Sequence, residues 1–124
     1  MRQISINRRS NRILYNATIS VEASIYPEWL AFMREEHIPK ILSTGCFSGY
    51  KICRMVDETT KSYTVAVQYF SVNSDKFRIY QTQFAPDLQE EYLARFGSIA
   101  PAFRTVLHAL EEGEVVADIN RSEN

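Results

Sequence analysis

Apolar and polar residues alternate along residues 13–21, where every second side chain from Ile13 to Val21 is apolar. A period of two predicts a β-strand with one buried face and one mostly polar face. Three further stretches are also predicted as strands: 46–57, 62–71 and 102–110. The polar link 57–61 favours pairing of the first two of these stretches as a hairpin.

Two segments between the strands carry apolar side chains at helical spacing. The first stripe consists of Trp29, Leu30, Met33, His37 and Ile41. The second consists of Phe77, Tyr80, Phe84, Leu88, Tyr92 and Phe96. Pro39 and Pro86 lie within these segments, and each is expected to kink or split its helix because proline removes a backbone hydrogen bond and clashes with the preceding turn. Gly45 and Gly97 are expected to end the two helices.

The elements follow the order β-α-β-β-α-β, which is typical of a ferredoxin-like α+β fold. In that fold both helices cover one face of an antiparallel sheet. Extra terminal strands also fit the pattern, one at residues 4–6 and one at residues 115–119. Residues 7–11 would turn the first of these back onto the next strand as a hairpin.

We therefore expect one α+β domain over residues 1–124, with its core in 12–111 and extensions at 1–11 and 112–124. The sheet face away from the helices is predicted to carry apolar residues among polar ones, namely Leu14, Phe70, Val106 and Leu110. A face of that kind is often buried against a second copy. The sequence thus favours a homodimer.

Composition narrows the classes of function. The chain has 14 Lys and Arg against 15 Asp and Glu, for a net charge of −1, whereas nucleic-acid binding usually shows as a basic surplus. It has no run of about 18 apolar residues, so no membrane-spanning helix is expected. Cys46 and Cys53 are predicted to share one strand at a distance too great for a disulfide, and free thiols suit a reducing cytoplasm.

Nucleotide-binding, zinc-protease and nucleophile-elbow motifs are missing from the sequence. The cysteine spacing does not make a zinc site either. We therefore expect no cofactor and no metal.

Several uncommon short sequence motifs occur together between residues 13 and 110. They are Trp29 with Met33, His37-Ile38-Pro39, Thr44-Gly45 with Phe47, the run from Tyr63 to Tyr69, Ala85-Pro86-Asp87-Leu88, Arg95-Phe96-Gly97, and the run from Phe103 to Leu107. In their order and gaps they resemble the domain-of-unknown-function 4286 family of uncharacterised bacterial proteins. The resemblance implies a fold close to the dimeric α+β barrels and no established activity. It also implies that many members have a histidine in the second helix where this chain has Tyr92.

His37 is the candidate catalytic residue. It lies on the apolar stripe of the first helix beside Pro39, where an imidazole would titrate near neutral pH and act as an acid or a base. The alternative is structural, with His37 bonding the carbonyls that Pro39 frees and fixing the kink.

Candidate ligand-binding residues fall into two groups. The first is predicted to share the dimer-facing side of the sheet and consists of Asn16, Thr18, Gln68 and Arg104. There Arg104 would hold a carboxylate or phosphate through paired hydrogen bonds. The alternative for this group is hydrogen bonding between subunits, or solvation. The second group, Tyr50 and Tyr69 together with Tyr80 and Tyr92, would line a pocket, although aromatic residues at such spacing usually belong to the core.

Two functions remain open. The first is a small-molecule-binding protein or cofactor-free enzyme, with a pocket between the helices and the sheet of a dimeric barrel. It depends on His37 and Arg104 and on analogy of fold. The second is a non-catalytic interaction or regulatory module that uses the terminal strands to pair with a partner's sheet edge. RNA binding by a ferredoxin-like sheet is a third interpretation that the missing basic surface disfavours.

Overall fold

Six strands and two helices occupy the part of the chain that the structure, a computed structural model, describes: residues 2–56 and 61–118. The strands are β1 (Arg2–Asn7), β2 (Ile13–Glu22), β3 (Gly49–Arg54), β4 (Ser62–Ser71), β5 (Ala102–His108) and β6 (Glu112–Asp118). The helices are α1, over residues 26–42, and α2, over residues 74–96. Residues 57–60 of the predicted hairpin link and the last predicted strand residue, 119, lie outside the described residues.

The central sheet has the strand order β3-β4-β2-β5, and adjacent strands in it run antiparallel. Every second residue of β2 from Ile13 to Val21 is buried, as the alternation predicted. These side chains and those of β4 form one core cluster with both helices, in which Trp29 is fully buried. The predicted α+β, ferredoxin-like class is thus confirmed. Burying each large apolar side chain contributes about 1.5–3 kcal/mol.

Pro39 and Pro86 neither end nor split their helices. In α1 a π-helical turn, Met33–His37, precedes Pro39, and the amide of Ile38 donates to the carbonyl of Met33 five residues earlier. In α2 the π-helical turn Tyr80–Phe84 likewise comes just before Pro86. The switch at residues 37–38 lies where the sequence predicted a kink. The backbone changes its hydrogen-bonding period there and then continues as an α-helix.

Two predicted strands are shorter in the structure. Residues 46–48 precede β3, and β5 ends at His108. Cys46 and Cys53 therefore do not share one strand, and both are free thiols, the first buried and the second exposed. Gly45, after the end of α1, has a left-handed φ of 77°, a conformation that glycine adopts without strain.

The terminal strands pair with each other. β1 and β6 form a separate two-stranded antiparallel sheet, here called the ribbon, so the predicted hairpin between residues 4–6 and β2 is wrong. Glu112 ties the ribbon to the start of β2 by accepting hydrogen bonds from Ser10 Oγ and Arg12 Nη1. All six side chains of β1 are exposed.

Candidate functional site

Polar aromatic side chains cluster on the helix-facing side of the central sheet. Tyr15 on β2 lies opposite Tyr69 on β4, and Ala17 lies opposite Arg104 on β5. Directly opposed residues of an antiparallel pair project from the same face. The register therefore places both tyrosines and Arg104 toward the helices. The ring centroids of Tyr15 and Tyr69 are 5.9 Å apart.

The two π-helical turns face this cluster from the helix layer. Met33 and His37 are the first and last residues of the π turn in α1, Tyr80 is the first residue of the π turn in α2, and all three are buried. A cavity of about 20 Å³ lies between the layers. Its lining consists of Tyr15, Ala17, Ile19, Met33, His37, Ile41, Tyr69, Tyr80, Leu88, Gln89, Tyr92, Ala102 and Arg104. A space of this size holds about one water molecule.

Two buried polar atoms of the lining residues have no hydrogen-bond partner within the described ranges: Nδ1 of His37 and the hydroxyl of Tyr69. His37 is 7% exposed and Tyr69 is 1% exposed. Most buried polar groups in proteins are paired, and an unpaired one costs about 1–3 kcal/mol. The Nδ1 atom does not bond the carbonyls freed by Pro39, contrary to the structural alternative for that atom. Both atoms are therefore available to a guest.

Two other tyrosines of the lining are engaged. The hydroxyl of Tyr15 accepts from the side-chain amide of Gln89 at 3.3 Å. The hydroxyl of Tyr92 accepts from Nε1 of Trp29 at 3.1 Å and donates to the carbonyl of Ala100. These bonds fix the walls of the cavity, whereas the Tyr69 hydroxyl and the His37 nitrogen are not fixed in this way.

Burial sets the protonation state of His37. It lowers the pKa of the imidazole to about 4. The Glu91 carboxylate opposes this change, and the charges of Arg104 and Lys40 add to it. The expectation that His37 titrates near neutral pH is therefore wrong. At neutral pH the imidazole is uncharged, so one of its ring nitrogens is an acceptor. The ring stacks on Phe32 at 5.7 Å.

The tyrosines of the cavity are held in their neutral form. Burial is the largest cause that raises the pKa of Tyr15, Tyr69, Tyr80 and Tyr92. The positive charge of Arg104 opposes the rise in each of them. The guanidinium thus acts on every titratable side chain of the lining, which places a positive potential throughout the cavity.

A larger cleft adjoins the cavity on the surface. It has a volume of about 350 Å³ and shares Gln89, Tyr92, Ala102 and Arg104 with the inner cavity. Its other lining residues are Glu90, Leu93, Gly97 and Pro101. Pockets of about 300–1,000 Å³ are typical of small-molecule sites. Cavity and cleft together are here called the inner site.

The predicted site residues divide between the two faces of the sheet. His37, Tyr69 and Arg104 meet in the inner site. The predicted convergence of Arg104 with Asn16, Thr18 and Gln68 is wrong, because Arg104 pairs with Ala17, whose side chain faces the helices. The three others lie on the opposite, outer face.

Tyr50 does not line the cavity. It lies on the edge strand β3 opposite Tyr69 and is 45% exposed. Tyr80 and Tyr92, which were expected among pocket-lining residues, do line it. Sequence reasoning missed Tyr15 and Gln89 as site residues. Tyr15 was recognised as an apolar position of β2, and the tyrosine in a run otherwise made of Ile, Ala and Val was the available signal.

Within residues 2–56 and 61–118, no group of three or more His, Cys, Asp or Glu side chains is arranged to hold a metal ion. In the same ranges, no helix combines the length and apolar character that crossing a membrane requires.

Comparisons with known proteins bear on the fold and the family. A family model described as a domain of unknown function (DUF4286) matches residues 12–110, which confirms the resemblance noted above. No curated protein matches the chain.

Solved structures similar to this chain share the fold at low sequence identity. SnoaB, a cofactor-independent oxygenase from Streptomyces nogalater, is 15% identical in a mutant form with a TM-score of 0.59, over 80% of this chain and 93% of that one. An ethyl tert-butyl ether d (EthD) family protein from Bacillus halodurans is 9% identical with a TM-score of 0.60, over 78% and 98% of the chains. A dimeric ferredoxin-like protein from an uncultured marine organism is 9% identical with a TM-score of 0.53, over 82% and 97%. At these identities the likeness shows the fold alone.

Proposed function

Since the chain belongs to the DUF4286 family, whose description names no activity, we propose from the inner site that it binds a small organic molecule between its helices and its sheet. We further propose that it acts on this molecule without a cofactor, with His37 as the acid–base group. One observation carries the proposal: two unpaired buried polar atoms, on His37 and Tyr69, line the same cavity as Arg104.

The unpaired atoms support binding because a folded protein does not gain stability from them. Each costs about 1–3 kcal/mol when no partner or water reaches it, and a filled apolar core would avoid that cost. A guest in the inner site would supply both partners. The cavity and the cleft share four lining residues, and the proposed route of such a guest from the surface runs through the cleft.

His37 lies where it can exchange a proton with a guest. It is buried and uncharged at neutral pH, and its Nδ1 has no competing partner within the described part of the chain. A neutral imidazole can accept a proton from a bound molecule and return it later. The structural likeness to a cofactor-independent oxygenase accords with chemistry that uses side chains alone, although fold does not fix function.

We also propose that the chain is a homodimer through the outer face of the sheet. Phe103 is 70% exposed and Leu107 is 50% exposed on β5, and both lie on that face. Val106, predicted on the same face, is on the other one because it pairs with Tyr15. A neighbour in fold is described as dimeric. The two free thiols accord with a reducing compartment such as the cytoplasm, and the charge balance accords with a role outside nucleic-acid binding.

Native mass spectrometry of the protein as purified tests binding and assembly together. We expect the mass of a dimer, and a dimer that retains a small molecule should show the additional mass of that molecule. If the purified protein retains no ligand, the binding of small-molecule fragments is monitored by NMR instead. Arg104→Gln and His37→Ala should each weaken fragment binding, whereas the control Thr105→Ser, one residue along β5 on the outer face, should not.

Unchanged fragment binding in folded Arg104→Gln and His37→Ala proteins would overturn the proposed site. A monomer at micromolar concentration would overturn the proposed dimer and leave the site proposal to the NMR result.

A second candidate function is a protein-interaction module that uses the ribbon. Among the described residues, each strand of the ribbon pairs along one edge and leaves its other edge open. Ile4 and Ile6 are exposed on β1. Exposed strand edges can add a partner's strand. Deleting residues 1–11 should then abolish partner capture, and capture that survives the deletion would count against this function.

A further inference from the structure

The charge of the inner site is uneven. Among the residues that line the inner cavity in the described chain, Arg104 is the one that carries a full charge at neutral pH, since His37 and the tyrosines are neutral. In residues 2–56 and 61–118, no carboxylate lies within ion-pairing distance of its guanidinium. The ion pairs of the helix layer in these ranges join Lys40 to Glu91, Arg95 to Glu36 and Arg78 to Asp75. A half-buried guanidinium without a counter-ion favours an anionic partner.

The shape of the site indicates how an anion would be placed. The inner cavity, at about 20 Å³, accepts little more than one oxygen-sized group, whereas the adjoining cleft offers about 350 Å³. Arg104 borders both spaces. A molecule with a small oxygen-bearing head and a larger body would place the head in the cavity beside Arg104 and the body in the cleft.

The neutral groups around the head complete the arrangement. The Tyr69 hydroxyl can donate a hydrogen bond to an oxyanion, and the unpaired Nδ1 of His37 can take a proton. Burial keeps the imidazole uncharged, and a bound anion would favour its protonated form. The charged groups that act on His37 are Glu91 of α2, Arg104 of β5 and Lys40 of its own helix, and the neutral Tyr92 ring lies 5.4 Å from it.

We infer that the ligand of the proposed site is a small weak acid, such as a phenol, enol or carboxylic acid, held as its anion on Arg104 with its proton on His37. The inference rests on the proposed function, because it specifies the ligand of that same site. The ligand's O–H bond breaks, its electron pair stays on the oxygen, and a new N–H bond forms at Nδ1 of His37. The step transfers one proton and needs no oxidant or reductant.

Para-nitrophenol is a direct probe, because its phenolate absorbs visible light and its phenol form does not. At a pH below its own pKa, adding wild-type protein should increase the phenolate absorbance. The site should prefer the anion about tenfold or more, as an opposite charge at close range typically does. Nitrobenzene, a neutral compound of similar shape, should bind correspondingly more weakly in a competition measured by NMR.

Variants assign the effect to residues. Arg104→Gln and His37→Asn should each abolish the rise in phenolate absorbance, and Arg104→Lys, which keeps the charge, should retain part of it. The matched control Arg95→Gln removes a positive charge from the outside of α2 and should leave the rise unchanged.

The possible results separate the two proposals. If nitrobenzene binds as tightly as para-nitrophenol, or the bound probe stays neutral, the acid inference is overturned while the small-molecule site stands. If neither compound binds the folded wild-type protein, both the acid inference and the proposed small-molecule site are overturned. That result is expected if the cavity only holds one fixed water.

Discussion

The two faces of the central sheet are made from alternate residues of the same strands, yet they differ in chemistry. The helix-facing side is largely buried and aromatic, and in the described chain its cavity is lined by one guanidinium, that of Arg104, and by two unpaired polar atoms. On the outer face, polar groups bond one another: Nδ2 of Asn16 donates to Thr18 at 3.1 Å and to Thr105 at 3.2 Å. Large apolar side chains such as Phe103 stand among them, exposed.

This difference suggests separate tasks for the two faces. Mutual hydrogen bonds between short side chains leave little for a ligand to recognise, and exposed apolar groups nearby suit a flat protein surface. One outer acceptor, Oδ1 of Asn16, is buried and unpaired among the described residues, and a second copy could supply its donor. The helix-facing side, by contrast, combines enclosure with unpaired polar atoms and charge.

The largest expected effect comes from truncating each face in turn. Ile19→Ala, at a helix-facing position that is 1% exposed, should lower the free energy of unfolding by about 2–5 kcal/mol. Phe103→Ala on the outer face should change the unfolding of the monomer by no more than about 0.5 kcal/mol and should weaken the dimer. Urea unfolding at low protein concentration and sedimentation measure the two effects. Equal losses of monomer stability would contradict the assignment of the faces.

The titration of His37 should make stability depend on pH. Its pKa is lowered from 6.5 to about 4 on folding, so between these values the unfolded chain binds more protons. Above about pH 6.5 His37 is neutral in both states and does not lower the free energy of unfolding. As the pH drops toward 4 the unfolded chain is protonated first, and the free energy of unfolding falls by about 3 kcal/mol in total. Urea unfolding across this range should show the loss, and His37→Asn should reduce it. An unaltered pH dependence in the variant would show that His37 is not the cause.

Removing one hydroxyl from either of two buried tyrosines should have opposite results. Tyr92→Phe leaves Nε1 of Trp29 and the carbonyl of Ala100 unpaired, so it should destabilise the protein by about 1–3 kcal/mol or more. Tyr69→Phe removes a hydroxyl that has no partner in the described structure, so the free protein should be as stable or more stable. Thermal unfolding compares the two. A clear loss in Tyr69→Phe would mean that a water or another group already pairs with that hydroxyl.

The sequence could predict which residues of one strand share a face, and it did so for β2. It could not predict how the faces of different strands match, since that depends on register. Arg104 was placed with Asn16 for this reason, and the pairing of Ala17 with Arg104 corrects it. One residue of register moves a side chain to the other side of the sheet.

The prolines illustrate a second limit. The positions of Pro39 and Pro86 predicted a kink or a split in each helix because a backbone donor is missing. A π-helical turn satisfies the same constraint while the helix continues, and it brings His37 and Tyr80 into the cavity lining. Local chemistry located the irregularity but did not specify its form.

The smallest expected effects come from the ion pairs on the surface of the helix layer. Lys40 and Glu91 join α1 to α2 at 2.6 Å, and both side chains are partly exposed to solvent. A double-mutant cycle with Lys40→Met and Glu91→Gln should give a coupling of about 0.2–1 kcal/mol, reduced by salt. Glu91→Gln alone should also lower the pKa of His37 slightly, because the carboxylate raises it. NMR titration of the imidazole would detect that change, and a rise would contradict it.

The most direct test of the proposed inner site is to map the binding of a small organic acid by NMR on the isotope-labelled protein. With para-nitrophenol, we expect signal changes at His37, Tyr69 and Arg104, protonation of the imidazole, and little change at Asn16, Thr18 and Gln68 on the outer face. Changes centred on the outer face, with His37 unaffected at saturation, would contradict the proposed site.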